Sequence, residues 1–121
     1  MMKDSPYQYG WTRQLFHEFL INQAVNFGIN SFTVKEACYD ERWNPVIEFN
    51  GCNLVQDKLH PFLPCFLHDW RWVTGQGGYK SDVEFYNNLR KAGMPKFESI
   101  SWFVAVRIGW LFYYKWKKKN A

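Results

Sequence analysis

The stretch Pro64-Cys65-Phe66-Leu67-His68-Asp69-Trp70-Arg71-Trp72-Val73 decides how this chain is read. Proline is tolerated in a helix's first turn, where its missing N–H has no intrahelical partner to lose. A helix is therefore expected over Pro64–Val73, ending near Gly75. Successive helical residues point about 100° apart. His68 then shares a side with Pro64, Cys65 and Trp72, while Asp69 points elsewhere, although both can border one cavity. Apolar surroundings favour the neutral imidazole, and a neutral imidazole needs a partner to fix its tautomer, usually a carboxylate.

Downstream, Thr74-Gly75-Gln76-Gly77-Gly78 reads as a loop. Ser81 with Glu84 three residues on has the form of a capping box, so a second helix is expected to begin at Ser81. Val83, Phe85, Tyr86 and Leu89 give it an apolar side, and Gly93 with Pro95 ends it. Asp82 falls in its first turn, where the helix dipole favours negative charge. The loop is long enough to fold this helix back against the first, bringing Asp82 to His68. The chemistry expected of that meeting is His68 as general base for water and Asp82 as its orienting carboxylate. Asp69, and Asp57 from upstream, would be ligands for a divalent cation, calcium or magnesium, and His60 lies near enough to approach the same place. Plainer roles compete with these. A helix start prefers aspartate without any function, His68 can be a satisfied core histidine, and Asp69 can pair with Arg71, Arg90 or Arg107.

Toward the N-terminus, Trp11, Leu15, Phe16, Phe19, Leu20, Ala24 and Phe27 recur at helical spacing and Gly28 stops the run. Between these helices, Ser31–Lys35 and Pro45–Asn50 resemble short strands with turn signals at Asp40 and Asn50-Gly51, which predicts a small hairpin. The last helix is expected from about Ser99 to Trp116. Its aromatic and aliphatic run leaves almost no polar face and predicts burial on most sides. Arg107 and Gly109 interrupt it, and it falls short of the ~20 apolar residues of a membrane span. The fold class that follows is mainly α (α+β), three to four helices with a small β-hairpin between the first and second, in a single domain over residues 1–121.

Composition narrows the function. Of the 121 residues 47% are hydrophobic and 21% aromatic, which excludes a disordered chain and leaves aromatic surface either for a dense core or for a partner. The net charge of +4 owes much to Lys115, Lys117, Lys118 and Lys119. Without them the chain is nearly balanced, so no nucleic-acid face is expected. The lysine-ended aromatic helix leaves contact with an anionic membrane surface open. Three cysteines, with no metal-binding spacing, read as small core thiols of a reduced compartment. Met1-Met2-Lys3-Asp4-Ser5-Pro6 lacks the apolar run of a signal peptide, so a host cytoplasm or a virion is the expected location rather than secretion.

Four ordered segments resemble a family of small uncharacterised phage and bacterial proteins. They are Gln56-Asp57, Leu67-His68-Asp69-Trp70-Arg71-Trp72, Ser81-Asp82-Val83-Glu84-Phe85 and Ala105-Val106-Arg107-Ile108-Gly109-Trp110. Their family counterparts are a TD-type motif, an HDxLY-type helix, an AD-x-x-F helix and an aVR-x-x-G-x-x-x-W segment. The likeness covers Leu54–Trp116, with Trp72 where the family has tyrosine and the first motif poorly kept. A more distant likeness is to the C-x-x-H-D helix of phospholipase A2, carried by Cys65, His68 and Asp69, with Asp82 as the second aspartate. That likeness implies calcium on Asp69 and ester cleavage by water activated at His68. The Y-x-G-x-G calcium loop that should precede the dyad is missing, and Gly75, Gly77 and Gly78 follow it instead. The expected function is a phage-type, hydrolase-like protein. The alternative is a non-enzymatic virion or assembly component whose aromatic helices contact a protein partner.

Overall fold

The computed structural model describes residues 10–49, 51–52 and 61–120, with side chains up to residue 109. Six helices make up the described chain: α1 (Arg13–Phe27), α2 (Ser31–Tyr39), α3 (Pro45–Glu48), α4 (Leu63–Val73), α5 (Tyr79–Lys91) and α6 (Lys96–Asn120). The mainly helical class holds. The hairpin and the expected three to four helices do not, and no strand occurs among the described residues.

Capping chemistry explains the correction. Asn30 Oδ1 accepts from Phe32 N, so the segment read as a strand is the capped start of α2, and Val34, Ala37 and Cys38 bury at helical spacing. Asn44 Oδ1 likewise accepts from Val46 N, and Pro45 stands at the helix start, so Asn44-Pro45 opens the one-turn α3. In both places a short polar residue read as a turn signal is a helix cap. Thr12 performs the same job for α1, and Gly28 ends α1 at φ +73°, a conformation that favours glycine. Ser81 does not start α5. It sits one turn in, where its hydroxyl accepts from Gly78 N and donates to Gly78 O.

The core forms in two parts, and α4 serves both. Leu63, Phe66, Leu67 and Trp70 face a cluster built with Phe16, Leu20 and Ala24 of α1 and Val34, Ala37 and Cys38 of α2. Trp43 and Phe49, flanking α3, complete it, and the Phe16, Phe49 and Phe66 rings meet at centroid distances of 5.2–6.3 Å. On its other side α4 offers Cys65 to Phe85 and Leu89 of α5, with Trp102 and Val106 of α6 packed against them. Arg13 locks the first part. It donates to the carbonyls of Cys38, Asp40 and Trp43 at 2.7–3.2 Å, capping the end of α2 and the loop beyond it. Gln23 ties α1 to the entry of α4, donating to Pro61 O and accepting from Leu63 N.

Two further expectations fail. Cys52 and Cys65 form a disulfide across 13 residues, which staples the first turn of α4, and only Cys38 remains a buried thiol. Helix α6 is not enclosed. It packs along α5, and Phe97, Ile100, Val104 and Ile108 stay exposed. Among the described residues no helix is long and apolar enough to cross a membrane. Replacing Arg13 with alanine removes a charged donor from three carbonyls, so a loss of roughly 2–3 kcal/mol is expected in urea unfolding. The α2 amides should exchange faster with solvent than those of α5.

Candidate active site

The α4–α5 turn brings His68 and Asp82 together, as their spacing predicts. Thr74 closes α4 by donating its hydroxyl to Trp70 O, and the chain turns through the glycine-rich loop. Gly77 lies against the Trp72 indole so closely that a Cβ there would stand 2.2 Å from the ring. This glycine is therefore needed for a close approach that seats Trp72, a role not legible in the loop's composition.

His68 Nε2 lies 2.6 Å from Asp82 Oδ1. An ionised carboxylate only accepts, so in that contact Nε2 is the donor. The Trp72 indole nitrogen is 3.4 Å from the same carboxylate oxygen and 3.1 Å from His68 Nε2. The indole N–H only donates, so with Nε2 protonated its acceptor is the carboxylate. Oδ2 accepts from Arg107 at 3.0 Å, and the Arg107 guanidinium lies 5.3 Å from the centre of the Tyr79 ring. Asp82 is fully buried, and its position in the first turn of α5 adds the dipole's attraction. His68 keeps 17% of its side chain exposed and stacks 4.6 Å from the Phe85 ring. The dyad is thus oriented from below and open on one edge.

Asp69, also expected at the site, is not gathered there. Asp69 faces away from the pair, with Glu48 as the acid it senses, and its buried Oδ2 has no hydrogen-bond partner. Burial first, and the Glu48 charge second, push the Asp69 carboxyl up to about 7. None of the three arginines suggested for Asp69 serves it. Arg71 grips Glu84 at 3.1–3.2 Å, Arg107 serves Asp82, and Arg90 donates to Met94 O. Asp57 and His60 lie outside the described residues. Calcium takes six to eight oxygens. Asp69 with Glu48 falls well short, and no group of three or more metal-binding side chains occurs among the described residues. The chemistry below uses no metal.

A carboxyl whose folded pKa is raised binds a proton that the unfolded chain has released. Stability is therefore full at acid pH, falls as pH rises from 3.8 to about 7, and stays low above that. Asp69→Asn should remove this slope and raise stability at pH 8 by roughly 1–4 kcal/mol, as read in chemical unfolding at pH 5 and 8. An unchanged slope would show that Asp69 is ionised throughout.

No family model, curated protein or solved structure matches this sequence, so the functional reading rests on the site's own geometry.

Proposed function

We propose that the protein is a phage-type hydrolase-like protein that cleaves a carboxylic ester with water, using His68 as general base and Asp82 as the carboxylate that orients it. The observation that carries this reading is the 2.6 Å His68–Asp82 contact, which leaves Nδ1 as the free basic atom of a partly exposed ring. In the reaction, Nδ1 takes a proton from water as its oxygen adds to the ester carbonyl. The tetrahedral adduct then expels the alkoxide, which recovers that proton from Nδ1. Asp82 offsets the imidazolium charge while Arg107 and Trp72 hold the carboxylate in place, so no reorganisation is needed when the charge appears. General-base catalysis of this kind contributes about 10²–10⁴-fold. His68→Gln should lower hydrolysis of p-nitrophenyl butyrate and of a short-chain phosphatidylcholine by that factor, with the helical circular dichroism signal unchanged. Equal rates for variant and parent would rule out the base.

A second reading, a virion or assembly component, is favoured by α6. Phe97, Ile100, Val104 and Ile108 recur at steps of three and four residues and form one exposed apolar stripe. A Cys52–Cys65 disulfide suits a virion better than a reducing host cytoplasm. The lysine-ended helix keeps an anionic membrane surface as a lesser candidate for the same face. On this reading the purified protein self-associates in sedimentation runs, and Val104→Lys with Ile108→Lys returns it to monomer. A parent chain that stays monomeric at high concentration in the absence of other phage proteins limits the stripe to a different partner.

A further inference from the structure

A groove of about 360 Å³ runs along the side of α5 turned away from the dyad. Lys80, Glu84, Asn87 and Lys91 line it at steps of four, three and four residues, while Asp82, Phe85 and Leu89 occupy the opposite stripe of the same helix. Leu67 and Val83 form an apolar floor, and Thr33 at the start of α2 closes the far wall. Asn88 distinguishes the groove from ordinary surface. It is only 6% exposed, it lines the groove, and its side-chain amide makes no hydrogen bond to any described residue. Its amide atoms are not sealed off from solvent, so they stay open to whatever enters the groove.

The chemistry of the lining selects the entrant. An amide presents both donors and an acceptor, and a peptide unit returns both, whereas a bare anion would leave the carbonyl oxygen unmatched. Glu84 also lines the groove between the two lysines, and Arg71 offsets its charge at 3.1 Å, so the net charge facing the groove is positive. Neither lysine forms an ion pair among the described residues. Eleven residues apart on a helix, they stand about 16 Å apart along its axis. That distance matches roughly five residues of extended chain.

We propose that this groove binds an extended acidic peptide segment of a partner protein. Asn88 hydrogen-bonds one of its peptide units, and Lys80 and Lys91 hold carboxylates about five residues apart. The site is separate from the His68 chemistry and stands or falls without it.

The test is a titration of the full-length, isotope-labelled protein followed by amide NMR at low salt. The probe is an acetylated hexapeptide amide with aspartate at both ends and alanine between. Its control carries asparagine at both ends. The aspartate peptide should shift the side-chain amide signals of Asn88 and Asn87 and bind at least tenfold more tightly than the control. Lys80→Gln with Lys91→Gln, both exposed, should weaken it at least tenfold at an unchanged melting temperature. Asn88→Ala should also weaken it, and its melting temperature separates a lost contact from a lost fold. The proposal is overturned if the acidic peptide leaves these signals unmoved. It is equally overturned if inorganic phosphate reproduces the shifts and displaces the peptide, which would make the groove a simple anion site.

Discussion

One buried carboxylate holds the second half of this molecule together. Asp82 has no contact with solvent, and three helices supply its partners: His68 and Trp72 from α4, its own first turn in α5, and Arg107 from α6. A charge so enclosed is tolerated only when its lone pairs are filled, and breaking a pair of this kind typically costs about 3–5 kcal/mol. Its demands therefore fix the register of α4 against α5, and of α6 against both. The apolar contacts among Cys65, Phe85, Leu89, Trp102 and Val106 then close around that register.

The same constraint shapes the chemistry. Because Arg107 holds Oδ2 and Trp72 shares Oδ1, Asp82 cannot rotate away from His68, and the imidazole is held through its Nε2. Helix α4 is held from both ends, by the Cys52–Cys65 disulfide in its first turn and by Trp72 wedged against Gly77 in its last. Asp69, adjacent in sequence, lies about 100° round the helix and belongs to a different environment beside Glu48. Neighbours in a motif need not be neighbours in a site.

How much of this was legible in the sequence varies from residue to residue. The His68–Asp82 meeting could be read because both determinants are local: a proline-started helix, a glycine-rich turn, and an acid in the next first turn. The helices α2 and α3 could not be read from apolar alternation over five residues, because Asn30 and Asn44 serve as caps and the same residue type also opens turns. Arg107 was visible as a charge in an apolar helix, but its choice of Asp82 over Asp69 depends on how α6 lies across α5. The Asn88 groove depends on where α2 lies beside α5, and the disulfide on how near residue 52 comes to α4, and periodicity is blind to both. The exposure of Phe97, Ile100, Val104 and Ile108 escaped for the opposite reason, since an apolar run looks the same whether it faces its own core or nothing.

The position of Arg107 has a consequence for how the molecule comes into being. Most packing joins consecutive helices, α1 with α2, α4 with α5 and α5 with α6, so loop closure is short and each pair can form as it leaves the ribosome. The His68–Asp82 pair is already present once α5 has been made, but its carboxylate stays open on Oδ2 until residue 107 arrives. Until then water takes the place of the guanidinium on that oxygen, and only α6 both covers the carboxylate and supplies its last partner. Any chain stopped short of Arg107 is left in that state for good. Asp82 thus makes the second core depend on residue 107, a single side chain contributed by the last helix.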